Sequence, residues 1–192
     1  DWGEAVWLNG VRLSLHPAGH IRGSAQVRIE GEREVWVVTG DFKRESDPTC
    51  TGFAPLRCDV LISEATFALP LYRWPPAEEV FAEILRWVEE CAGRGKAAVL
   101  YAYSLGKAQR ILAGLAGRMD RPIFVHGAIA PICRLYEAEG IDLGTWEALP
   151  ERGRRSALAG RLILAPPSAG GGWLRALGPV ETALASGWVR TV

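Results

Sequence analysis

The stretch that most constrains how this chain can fold is residues 13–45, LSLHPAGHIRGSAQVRIEGEREVWVVTGDFKRE. Two segments of it have strand character, 24–30 and 34–39. In the first, Val27 and Ile29 alternate with Arg28 and Glu30, the pattern of a half-exposed strand. In the second, the apolar run 35–38 predicts a strand buried on both faces. A small-residue turn carrying His20 precedes the first, and Gly40-Asp41 follows directly on the second. A histidine in a Gly-flanked turn and a carboxylate at a strand exit are how a β-scaffold presents metal ligands. The glycines let the backbone turn sharply and come close to whatever the side chains hold.

The rest of the first third is also β-rich. Segments 5–8 and 11–15 flank Asn9-Gly10, a signal for a hairpin with a type I′ turn. After loop punctuation at Asp47-Pro48 and 52–55, Val60-Leu61-Ile62 predicts another buried strand, ending at Glu64. Asp41 and Glu64 thus leave the ends of two apolar strands. From about Pro70 the rhythm changes to alternating helices and strands. Pro75-Pro76 precede a helix with one apolar face (Val80, Phe81, Ile84, Leu85, Val88), stopped by Gly93 and Gly95. Strands are expected at 97–101, 122–125, 162–164 and 183–185, with helices at 105–115 and 130–139. Short connections between such elements predict a parallel sheet covered by helices. The fold class is therefore α/β, with a boundary between two regimes near Thr66.

Composition excludes several classes. The chain is 48% hydrophobic and 23% charged, an ordinary globular balance far from disorder. Lys plus Arg (22) equals Asp plus Glu (22), so no net basic charge advertises nucleic acid, although a local groove can still be basic. Cys50, Cys58, Cys91 and Cys133 form no Cys-x-x-Cys pair and read as reduced thiols of a cytoplasmic protein. No signal peptide and no apolar run long enough to cross a bilayer occurs, so a membrane partner is not expected.

Three phrases together resemble metallo-β-lactamase-fold nucleases of the β-CASP group, which process RNA and DNA ends. His16-Pro17-Ala18-Gly19-His20-Ile21-Arg22-Gly23-Ser24-Ala25 is similar to the group's third metal motif. Thr39-Gly40-Asp41-Phe42 resembles the fourth, whose Asp bridges two metal ions, and Ser63-Glu64-Ala65-Thr66-Phe67 resembles motif A, which opens the β-CASP insertion. Tyr103-Ser104-Leu105-Gly106-Lys107-Ala108-Gln109 also matches the insertion. Within the group, the bacterial ligase-associated DNA exonucleases are the nearest likeness. The resemblance implies part of a metallo-β-lactamase αββα sandwich over residues 1–66 and a β-CASP domain over 67–192. Complete members also carry a His-x-His-x-Asp-His motif and further downstream histidines. This chain has three histidines, His16, His20 and His126, and no such motif. The expectation is the central portion of a longer nuclease, unable alone to complete a binuclear site.

On this resemblance His20 and Asp41 are metal ligands for two divalent cations, zinc or manganese, with Asp41 as the bridging carboxylate; a turn histidine and a turn cap are the plainer readings. His16 is expected to be structural. Glu64 either caps the turn before Phe67 or, by resemblance, accepts a hydrogen bond from a metal-ligating histidine, fixing its tautomer. Ser104 and Lys107 open a helix after a strand, where free N–H groups suit a phosphate; a capping Ser with a solvated Lys is the alternative. Lys43-Arg44 and Tyr72-Arg73-Trp74 offer cations and aromatics to a nucleotide, as do Arg152, Arg154 and Arg155 to a lesser degree. His126 is expected to be a structural residue of a βα loop, and Ala169-Gly170-Gly171-Gly172 a flexible connection.

The function these features imply is metal-dependent phosphodiester hydrolysis at nucleic-acid ends: a DNA exonuclease working in repair with a DNA ligase and a helicase. An RNA-processing nuclease with the same site, or a non-catalytic scaffold of the same fold, are the alternatives. A β-lactamase or glyoxalase-type hydrolase is disfavoured, because those lack the long insertion after Glu64.

Overall fold

The computed structural model describes residues 1–69, 72–150, 158–169 and 172–186. The chain divides into two compact units, Asp1–Ala68 and Leu69–Val192.

The first unit is a single five-stranded sheet in the order β1-β2-β3-β4-β5. Its strands are β1 (Ala5–Leu8), β2 (Val11–Pro17), β3 (Ala25–Glu30), β4 (Val35–Val38) and β5 (Val60–Ile62). The first four pair antiparallel in succession, and β5 joins β4 in parallel. The β1–β2 hairpin closes at Asn9 (φ 49°) and Gly10 (φ 80°), with Leu8 opposite Val11. Two successive positive φ angles are what a type I′ turn demands, and Asn-Gly is the pair that adopts them most cheaply.

Register sorts the side chains of this sheet. One row across it runs Val6, Leu13, Ile29, Trp36, Val60, and the next runs Leu15, Val27, Val38, Ile62. Both rows are wholly apolar. The opposite face carries Ser14, Arg28, Val37 and Leu61 in one row and His16 and Gln26 in another. There the loop after β4 closes down: Gln26 donates to the carbonyls of Pro17 (2.9 Å) and Ala54 (2.7 Å), and Val37 and Thr39 are buried. Burial of 35–38 on both faces, and of the strand 60–62, is not what the structure shows. Trp36 is 39%, Leu61 59% and Ile62 48% exposed. The reason is layering: a sheet buries two faces only when both are covered, and the described residues of this unit form a single sheet with no helix of their own.

The second unit is a five-stranded sheet, order β10-β6-β9-β7-β8, with every pairing parallel. Its strands are β6 (Ala97–Tyr101), β7 (Ile123–Val125), β8 (Trp146–Ala148), β9 (Leu162–Ala165) and β10 (Val180–Leu184). Strand β8 falls outside the expected set, because its three residues hold a charged Glu147 and no apolar run. Helices α1 (Ala77–Gly93), α2 (Lys107–Leu115) and α3 (Ala130–Ala138) lie on one face. Phe81, Ile84 and Val88 of α1, Ile111 and Leu112 of α2, and Cys133 and Tyr136 of α3 meet Leu100, Leu162, Leu164 and Val125 of the sheet. The other face, Ala97, Val99, Ile163 and Ala165, is covered by Leu158 and Leu177 with Trp173 and Leu174 beside them. Burial alternates along β6 and β9 between the two clusters, so residues that read as continuous apolar runs serve two layers.

Helix α2 begins at Lys107, two residues later than expected, and the reason is Gly106, whose φ of 80° lies outside the helical region. Its amide donates to Gln109 Oε1 (2.8 Å), and Gln109 Nε2 donates back to the Ser104 carbonyl (3.0 Å). Within α2, Gly114 lies against α1: a Cβ there would stand 2.0 Å from Phe81 Cζ. No described helix is long and apolar enough to cross a membrane.

Candidate functional site

The turn 18–24 is built around Ser24. Its hydroxyl accepts from the His20 amide (3.1 Å) and the Ile21 amide (3.2 Å) and donates to the Ile21 carbonyl (2.8 Å). The Ala18 amide donates to the Ser24 carbonyl (3.0 Å), closing the turn onto the start of β3. Gly19, fully committed to φ +71°, lies under the loop that follows β4: a Cβ would stand 2.3 Å from the Lys43 carbonyl oxygen and 2.8 Å from Phe53 N. The Lys43 amide donates to the Ala18 carbonyl (3.0 Å), and Phe42 and Phe53 pack with centroids 5.4 Å apart. Backbone contact between the two loops is therefore what brings their side chains together.

His20 Nε2 stands 3.9 Å from Asp41 Oδ2, with both side chains open to solvent. Two donor atoms on one tetrahedral zinc ion lie about 3.4 Å apart, from bonds of about 2.0–2.2 Å. A small side-chain adjustment closes the difference, so this imidazole–carboxylate pair fits a divalent cation in distance and in donor type. Among the described residues no group of three His, Cys, Asp or Glu side chains gathers around one point. A cation held here would need further ligands beyond this pair.

Glu64 sits at the same edge of the sheet. β4 and β5 are parallel with Val38 opposite Ile62, and the Thr39 amide donates to the Ile62 carbonyl (3.0 Å). Asp41 and Glu64 thus follow the carboxyl ends of adjacent parallel strands. Glu64 Oε2 accepts from the Thr66 amide (2.8 Å), the turn cap of the plainer reading, which leaves its other oxygen for a further donor. His16 bonds through Nε2 to Ser14 Oγ (3.0 Å). Burial, then the Arg28 and Arg12 guanidiniums beside it, hold the imidazole below its ordinary pKa.

Lys43 has a partner of its own. Its ammonium is ion-paired with Asp47, whose side chain is only 3% exposed. Asp47 also accepts from the Thr49 amide (3.0 Å) and hydroxyl (2.6 Å). Burial pushes the Asp47 carboxyl up, but Lys43 and the two Thr49 hydrogen bonds outweigh it and the net shift is downward. Lys43 is thereby a residue of the loop's own structure. Asp47 was not singled out from sequence; the Asp-Pro-Thr phrase, an acid two residues before a donor, is the signal that marks such a turn.

In the second unit, Ser104 lies on the turn between β6 and α2, and Lys107 is the first residue of α2. The helix N-cap is Gly106, with no side-chain cap, so Ser104 does not cap it. The Lys107 ammonium stands 5.9 Å from the Tyr103 ring centroid. Arg73 is exposed between Tyr72 and Trp74, whose rings stack on each other at 6.1 Å and 7°. His126 Nδ1 accepts from the Ala128 amide (3.2 Å), its ring lies 5.3 Å from Trp173, and burial lowers its pKa. Arg152, Arg154, Arg155, Gly170 and Gly171 lie outside the described residues.

A mixed α/β fold with a helix-flanked parallel sheet, and a His–Asp pair at the edge of a separate β-sheet, define the class of protein. No family model matches the chain. Among curated proteins it is 34% identical over 182 residues to a probable DNA ligase of Opitutus terrae, a match covering 92% of this chain and 17% of that protein. It is 30% identical over 165 residues to the transcription termination factor FttA of Pyrococcus abyssi, covering 79% of this chain and 24% of that one. It is 30% identical over 115 residues to the endoribonuclease ysh1 of Emericella nidulans, covering 58% and 13% respectively. The chain thus spans between 13% and 24% of the length of these relatives. With the fold and the motifs, these similarities support the metallo-β-lactamase/β-CASP nuclease family.

Proposed function

We propose that this chain is part of a metal-dependent nuclease that hydrolyses phosphodiester bonds at nucleic-acid ends, a DNA exonuclease acting in ligase-associated repair. The observation that carries the reading is the approach of His20 Nε2 to Asp41 Oδ2 at 3.9 Å, held by backbone contact between two loops. His20 and Asp41 would be the ligands this chain contributes. Two divalent cations, zinc or manganese, would supply Lewis acidity at the phosphate and an acidified water. Asp41 is compact, anionic and placed at a strand exit, as a bridging ligand must be. Glu64, at the end of the neighbouring strand, would orient a ligating histidine through its remaining carboxylate oxygen. Residues 67–192 would form the β-CASP domain, with Ser104, Lys107 and Arg73 as contacts to the strand. Similarity over 92% of the chain to a protein named as a probable DNA ligase favours DNA ends as the substrate; a DNA ligase and a helicase would be its working partners.

An RNA-processing nuclease with the same site is the second reading, favoured by similarity to a protein named as an endoribonuclease. One experiment tests both. Metal content is measured by elemental analysis on the longest natural polypeptide that contains this chain, then on its Asp41→Ala variant, and end-labelled DNA and RNA are digested side by side. About two ions per chain, lost with Asp41 along with hydrolysis, support the reading, and the preferred substrate decides between DNA and RNA. A protein that binds no metal and cleaves neither polymer refutes it, and the scaffold reading then takes its place.

A further inference from the structure

We propose that Tyr103 is a stacking platform for a base of single-stranded nucleic acid, with Lys107 holding the adjoining phosphate; this rests on the nuclease reading and adds a subsite to it. Tyr103 leaves the carboxyl end of β6, the edge at which parallel α/β sheets bind ligands. Its residue is 60% exposed, and Leu105 beside it is 48% exposed. An aromatic ring that open to water is common on a mobile loop. Here the backbone under it is pinned on both sides. The Ala102 amide donates to the Ala165 carbonyl of β9 (2.9 Å), and the Ala108 amide donates to the Tyr103 carbonyl itself (3.1 Å). Gln109, fully buried, clamps the same turn through the Gly106 amide and the Ser104 carbonyl. The ring is presented by a scaffold whose ordering cost has been met in folding, so little further entropy is lost when a base stacks on it.

Charge selects the partner. From Tyr103 to Met119 the sequence holds no carboxylate, while Lys107 and Arg110 stand in the first turns of α2. An exposed aromatic ring with cations on the adjoining helix turn suits a polymer of flat bases and phosphates. Sequence tolerance follows from the chemistry, because every base has a π-face.

The test uses the longest natural polypeptide that contains this chain, with a chelator present so that no hydrolysis intervenes. Fluorescein-labelled decamers of deoxythymidine and of uridine are titrated, together with an abasic decamer of the same backbone. Wild type is expected to bind the base-bearing decamers more tightly than the abasic one. Tyr103→Ala should weaken binding of the base-bearing decamers by about 5- to 150-fold and leave the abasic decamer unchanged. Tyr103→Phe should bind like wild type. Lys107→Ala should weaken all three and lower the slope of log affinity against log salt by about 0.7. The proposal is overturned if Tyr103→Ala binds as wild type does, if bases make no difference to wild type, or if wild type binds no decamer. Since no metal is involved, failure here leaves the metal and hydrolysis measurements to decide the nuclease reading separately.

Discussion

Replacing Gly19 by alanine tests whether close backbone approach is what assembles the His20–Asp41 pair. Two costs arise. At φ +71° an L-side chain loses about 1–2 kcal/mol to steric strain. In addition the new Cβ would stand 2.3 Å from the Lys43 carbonyl oxygen and 2.8 Å from Phe53 N, both backbone atoms that cannot rotate aside. Forcing such an overpacked contact apart costs about 1–3 kcal/mol. The total expected loss is about 2–5 kcal/mol. Gly23 provides the control, since its φ is +80° but a Cβ there meets nothing within 4 Å, so Gly23→Ala should show the conformational cost alone. The assay is urea denaturation of both variants and wild type, comparing midpoints at unchanged slope. If Gly19→Ala loses no more than Gly23→Ala, the loops are not held by this contact and the reasoning fails.

Other perturbations have equally definite outcomes. The Asp47 carboxyl lies below its unfolded value near 3.8, so its contribution to stability is complete above about pH 4 and is lost as the pH falls through the lower folded value. Denaturation midpoints between pH 2 and 6 should therefore fall at the acid end more steeply for wild type than for Asp47→Asn, and equal slopes would contradict the assignment. Lys43→Met strands a buried carboxylate and should cost about 3 kcal/mol, and a neutral result by the same denaturation would show that Asp47 is hydrated instead. Gly114→Ala places a methyl carbon inside the Phe81 ring position and should cost about 1–3 kcal/mol despite the better helix propensity of alanine. Adding Phe81→Leu to that variant should restore part of the loss in thermal unfolding; if it lowers the midpoint further, the clash is not the cause. Gln109→Leu leaves the Gly106 amide and Ser104 carbonyl without their partner and should cost about 1–3 kcal/mol, with faster amide exchange at Gly106 as the local readout.

Local rules carried the reading of elements a long way. Asn9-Gly10 specifies its own turn, because positive φ at two consecutive residues excludes most other pairs, and the hairpin is there. The apolar run at 97–101 and the amphipathic spacing from Val80 to Val88 appear as β6 and α1. The start of α2 was missed by two residues because Gly106 departs from helical geometry to meet Gln109, a contact no window of propensities contains. β8 was missed because its side chains carry no pattern, and its pairing with β7 makes it a strand.

The sequence by itself determined the class of architecture: period-two and continuous apolar runs in the first third, then strand–helix alternation, whose short links leave a parallel sheet as the economical packing. It also marked His20, Asp41 and Glu64 as candidates, since a strand exit or tight turn is a property of a few neighbouring residues. Tertiary structure alone decided which of these meet. His20 and Asp41 are 21 positions apart, and their approach depends on Gly19 fitting beneath Lys43 and Phe53. It also decided that Lys43 belongs to Asp47, and that Trp36 and Ile62 share an apolar face and stay exposed. Periodicity reports how residues face their own strand or helix. What lies across from that face is set by contacts between segments distant in sequence, and only the folded chain contains them.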